Sequence, residues 1–184
     1  MSTKALSRSA LAPILASLLA LPLACAGGPN AAAEEDRKAA AALNREGDRA
    51  YQEGRFDKAL KAYMNSYPNH ATSHAYLMAG DAYWRAVLAA NQTLASSKGK
   101  DACPLTNAYF AQDAGRSLDQ YYRPGLALID KETADAQGLN QLRERSRTAA
   151  SCLAAVQAKY AALPKTACVD LRDVASCVGE PLKP

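Results

Sequence analysis

Few residues in this chain are equipped for chemistry, and the cysteines come first. They stand at 25, 103, 152, 168 and 177 of the 184 residues. With Cys25 set aside, Cys103, Cys152, Cys168 and Cys177 form an even set, which implies two disulfides in an oxidising compartment. None of the four belongs to a C-x-x-C pair and no histidine lies beyond His74, so zinc spacing is missing. His70 and His74 could join Asp81 around a metal only on one helical face, and Pro68-Asn69 puts a turn before them. No metal and no cofactor is expected. A Ser-His-Asp or Cys-His arrangement would have to use one of these two histidines, and there is no G-x-S-x-G turn. The paired carboxylates Glu34-Glu35 and Asp170-Asp173 fall at helix starts, where solvated capping accounts for them. Lys98-Gly99-Lys100 is too short for a phosphate loop. Tyr121-Tyr122-Arg123 reads as one core ring and one contact beside Pro124. The inventory points to a protein that binds and does not catalyse.

Cys25 belongs to a different context. Lys4 and Arg8 make a positive start, and Ala10 to Leu21 form an apolar run of 12 residues. A membrane-spanning helix needs about 20 such residues, whereas a secretory signal needs fewer, followed by small residues. Two processing routes fit Leu23-Ala24-Cys25-Ala26-Gly27-Gly28. Ala24 and Ala26 have small-x-small spacing for cleavage after Ala26. Leu23-Ala24-Cys25 also resembles the end of a bacterial lipobox, in which Cys25 would carry the lipid; Pro22 departs from that pattern. Residues 1–26 are then a signal peptide, residues 27–38 a tether or linker, and residues 39–184 one domain. Export is expected, to the periplasm and with a lipid anchor on the second route.

Removing Lys4 and Arg8 lowers the formal charge from +4 to +2, because all 18 acidic residues follow the signal. Such a balance predicts no nucleic-acid partner. The remaining 158 residues suit a single domain.

Helices must position whatever this chain uses. The Ala/Glu/Arg/Lys-rich stretch from Ala31 to about Gly54 favours a helix with acidic first turns at Glu34-Glu35-Asp36. A second should run from Phe56 to Tyr67, with Ala59, Leu60, Tyr63 and Tyr67 on one face, and end at Pro68-Asn69. Thr72 or Ser73 can cap a third, which fades by Ser96. A fourth spans Leu105 to Tyr122 and must end or bend at Pro124. Residues 124–130 make a further turn. The longest should be Glu132 to Leu163, with a stripe of Leu139, Leu142, Ala149, Leu153, Val156 and Tyr160; Val169 to Val178 closes the chain. No stretch alternates with period two, so the predicted fold is all-α.

Leu43, Gly47, Ala50, Tyr51, Gly54, Phe56, Ala59, Leu60 and Tyr63 together resemble the tetratricopeptide repeat, a hairpin of two antiparallel helices. Small Gly47 and Ala59 suit the helix crossing, the tyrosines fill the space beside it, and Gly54 permits the turn. Tyr76, Gly80, Tyr83 and Trp84 repeat the pattern of the first helix, and Phe110, Ala114 and Leu118 echo it more weakly. Only residues 40–90 match well, so residues 104–184 are a helical extension capping the stack. The resemblance implies a partner-binding groove lined by Asn44, Asp48, Gln52, His74, Asp81 and Arg85, with Tyr51 and Trp84 at its edge. The family's carboxylate clamp pairs Lys and Asn; Asn44 and Asp48 stand at those positions here, which excludes chaperone-tail binding. The partner implied is another envelope protein, in an adaptor or assembly role. The alternative is a structural or ligand-binding protein with a pocket between helices.

Helix geometry selects among the three possible disulfide connectivities. A helix over 169–175 holds Cys168 and Cys177 about 13 Å apart, beyond the roughly 7 Å a disulfide spans. Folding the last helix back on the long one near Lys165 brings Cys152 level with Cys177. If the fourth helix is antiparallel to the long one, Cys103 comes beside Cys168. The expected pairs are Cys152 with Cys177 and Cys103 with Cys168.

Overall fold

The computed structural model describes residues 29–98, 103–131 and 137–178. The signal peptide, Cys25 and residues 27 and 28 of the tether lie outside them. The described residues are all-α, and their one extended pairing is an isolated antiparallel bridge between Thr106 and Cys168.

Helix α1 spans Pro29–Gln52 and α2 spans Phe56–His70. The tether expected up to residue 38 is therefore helical from Pro29. Proline suits a first helical position, Ala, Glu and Lys propagate the helix, and Glu34 pairs with Arg37 at 3.6 Å and Lys38 at 3.7 Å. Because α1 starts at Pro29, Glu34 to Asp36 fall beyond its first turn. Helix α2 also outruns its expected end and carries Pro68 inside its last turn. Only one backbone bond is lost there, and it is the one to the carbonyl of solvent-facing Met64.

Helix α3, Ser73–Lys98, is capped by Thr72, whose hydroxyl accepts the Ala75 N–H at 3.1 Å. It has 26 residues, and α6, Gln137–Ala161, has 25; the first residues expected of that helix, 132–136, lie outside the described residues. Pro164 disfavours a helical residue before it, and α6 stops short of Leu163. Asp170 caps α7, Leu171–Val178, by accepting the Arg172 N–H at 2.9 Å.

The fourth expected helix neither ends nor breaks at Pro124. Helix α4, Asn107–Ser117, runs through a π-helical turn, Leu118–Tyr122, into α5, Arg123–Ile129. Proline's ring clashes with the carbonyl four residues back in an α-helix, and the wider π turn relaxes that crowding.

Among the described residues, one hydrophobic core joins α1 to α7. Tyr63, Leu77, Trp84, Phe110, Tyr122, Ile129, Leu153, Val174 and Val178 are almost wholly buried in it. No helix among the described residues is long and apolar enough to cross a membrane.

Candidate partner-binding site

The α1–α2 hairpin is built where a small residue meets a ring. A Cβ placed on Gly47 would lie 2.5 Å from Tyr63 Cε1, so only glycine admits the tyrosine. Ala50 and Ala59 are buried beside it, and Tyr51 meets Phe56 edge-on at 5.4 Å. Gly54 turns the chain at φ 72°, a conformation that favours glycine. On the next surface, Tyr67 stacks on Tyr76 at 4.2 Å, and Gly80 lets Tyr122 approach.

The eight residues expected to line a groove separate into two sets. Asp48 and His74 are a little over one-third exposed. Asp48 accepts the Tyr63 hydroxyl at 2.7 Å and meets His74 Nε2 at 2.8 Å. Burial works against the Asp48 carboxylate, but His74 and Tyr63 outweigh it and lower its pKa. Asn44 donates to the Thr72 hydroxyl at 3.4 Å, and Gln52 is exposed. These four, on α1 and the start of α3, form an accessible polar edge.

The second set lies inside the molecule. Asp81 and Trp84 have no exposed surface, Tyr51 has 5%, and Arg85 is half-buried. Asp81 and Trp84 are therefore corrected from groove residues to interior ones, and Tyr51 is a packing residue with them. The Trp84 indole donates to Ser117 at 2.9 Å. Asp81 accepts the Tyr122 hydroxyl at 3.1 Å and forms an ion pair with Arg145, which also donates to the Tyr51 hydroxyl at 3.3 Å. The physical reason is what packs over α3: Arg145 of α6 and Tyr122 of the π turn meet Asp81, while Ser117 and Phe110 of α4 meet Trp84.

Charge is held deep in this knot. Burial pushes the Asp81 carboxyl up to about 6, against the pull of Arg145 and Tyr122. For Arg145 the balance is opposite: burial opposes its charge, but the Asp81 carboxylate prevails and raises its pKa. Burial and the Asp48 and Asp81 carboxylates raise the Tyr63 and Tyr122 phenols, respectively, so both stay protonated donors.

Sequence reasoning missed Arg145, Ser146, Asn107 and Ser117. A signal for the first two existed: the α6 stripe skips from Leu142 to Ala149, and the vacant step is filled by Arg145 and by Ser146, which is wholly buried. Asn107 had none; its amide donates to the carbonyls of Tyr160 at 2.8 Å and Leu163 at 3.1 Å, joining α4 to the end of α6.

The other singled-out residues take plain roles. His70 ends α2 while His74 opens α3. Tyr121 and Tyr122 are both buried, so both rings belong to the core where one was expected to. Glu34 and Glu35 are exposed, and Asp173 accepts Lys159 at 2.7 Å and Tyr160 at 2.8 Å. Cys103 is bonded to Cys168 and Cys152 to Cys177, with Cα separations of 5.4 and 5.3 Å.

Open depressions mark the surface. One of about 600 Å³ lies between α4 and α6 over Ala108, Ala111, Ala154, Ala158 and Ala161. Another of about 480 Å³ lies between the start of α2 and Ala86, Ala89 and Ala90 of α3. The site and fold define a disulfide-bonded all-α protein with a buried ionic knot. No family model, curated protein or solved structure matches the chain.

Proposed function

We propose that the protein is an interaction module of the bacterial cell envelope, an adaptor or assembly factor of tetratricopeptide-like type that binds another envelope protein and catalyses no reaction. The observation that carries this reading is the Gly47–Tyr63 crossing with Gly54 at the turn, the packing on which the repeat resemblance rests. With α6 over the inner face, the partner meets the accessible edge of Asn44, Asp48, Gln52 and His74. The open shape of the surface depressions favours a macromolecular partner over an enclosed small ligand.

The two disulfides suit an oxidising, exported setting. Within that setting the finer assignment is the periplasm, reached through the signal at 1–26, with Cys25 as the lipid-bearing residue. Changing Cys25 to Ser should move the protein from the membrane fraction to the soluble periplasm; a wild type already soluble and starting at Gly27 overturns the anchor. A pull-down from solubilised membranes tests the binding. Gln52→Ala should weaken capture of the wild-type partner without lowering the melting temperature, and unchanged capture refutes this edge.

A further inference from the structure

We propose that the Cys103–Cys168 bond is a thiol-exchange site open to small-molecule thiols, while Cys152–Cys177 is a permanent clamp. The two bonds differ in surroundings. Cys168 is exposed, in the irregular segment between α6 and α7, and Cys103 is half-buried ahead of α4. Cys177 is 5% exposed, on the inner face of α7 beside buried Val174 and Val178, and Cys152, half-buried like Cys103, packs against the core from α6, so the difference lies between exposed Cys168 and buried Cys177. Exchange requires a thiolate to reach one sulfur of the bond, and exposed disulfides are the labile ones.

The bonds also differ in what else holds their surroundings. Around Cys168 the chain stays fastened without sulfur: Asn107 N–H donates to Ala167 O at 2.8 Å, Val169 N–H to Leu105 O at 2.9 Å and Ala108 N–H to Lys165 O at 3.0 Å. The Asn107 side chain adds its bonds to Tyr160 and Leu163. Opening Cys103–Cys168 therefore leaves α4 and α7 docked and yields two thiols on a folded protein.

The chemistry balances with a dithiol as the reductant. Its thiolate attacks Sγ of Cys168, the Cys103 sulfur leaves as a thiolate and takes a proton from solvent, and a mixed disulfide remains on Cys168. The reagent's second thiolate attacks its own sulfur in that bond and releases Cys168. Two electrons pass to the protein and the reagent ends as a disulfide. A monothiol gives the same mixed disulfide on Cys168, which the neighbouring Cys103 thiolate or a second monothiol molecule resolves, so Cys168 is a site of reversible modification.

Graded dithiothreitol on the oxidised full-length protein, quenched with iodoacetamide and mapped by peptide mass spectrometry, tests the assignment. Cys103 and Cys168 should be alkylated ~10-fold faster than Cys152 and Cys177, with helical circular dichroism unchanged at that stage. Glutathione should give an adduct on Cys168. Equal opening of both pairs, earlier opening of Cys152–Cys177, or loss of helix with the first reduction overturns it.

Discussion

Gly47 and Tyr63 compete for one space at the crossing of α1 and α2, and glycine is what lets the ring lie there. Gly47→Ala, or Ala59→Leu at its buried neighbour, should lower stability by about 1 to 3 kcal/mol through overpacking, read from urea denaturation. Asp81 sets a pH dependence. Its folded pKa, about 6, is above the ordinary aspartate value of 3.8. Its contribution is thus full below the unfolded value and lost as pH rises through about 6. Against Asp81→Asn, the wild type should gain up to about 3 kcal/mol between pH 7 and pH 4. Asp48, with its lowered pKa, acts the other way and loses stability as the solution turns acid. The melting temperatures of the two proteins across this range check the sign. Of these residues, Gly47, Tyr63 and Ala59 were legible because small and aromatic types at fixed spacing leave few packings. Burial of Asp81 was not legible, since a charged residue on a helix reads as solvated until another helix covers it.

Helix α6 is the element that turns a hairpin and its neighbours into one core. Its apolar stripe made it legible as a buried helix, while its position across α3 depends on Arg145, a residue the stripe omits. Arg145→Met should cost about 3 to 5 kcal/mol at pH 7, because it leaves the Asp81 carboxylate buried and unpaired. Without Arg145 the Asp81 carboxyl takes a proton at higher pH than in the wild type, so the penalty should shrink as pH falls toward 6, and the difference between denaturation curves at pH 5 and pH 7 measures this. The π turn between α4 and α5 is the element least legible in sequence. Pro124 reads as an end or a bend without saying which, and the packing of Tyr121 and Tyr122 under α3 makes continuing the helix worth its irregular geometry.

At the scale of the molecule, α7 is an eight-residue helix that cannot persist alone and is held by burial of Val174 and Val178 and by Cys152–Cys177. Replacing both cysteines with Ala should lower stability by about 2 to 4 kcal/mol, measured by urea denaturation. The sequence by itself determined the all-α class, most helix boundaries, the hairpin and the disulfide pairs, because period, turn residues and helix length are local quantities that antiparallel folding carries to neighbouring positions. Only the tertiary structure decided which polar residues remain accessible. Asp48 and His74 stayed at the edge while Asp81 and Trp84 went inside, because long-range docking of α6 and the π turn covers one part of the face and leaves the other to water.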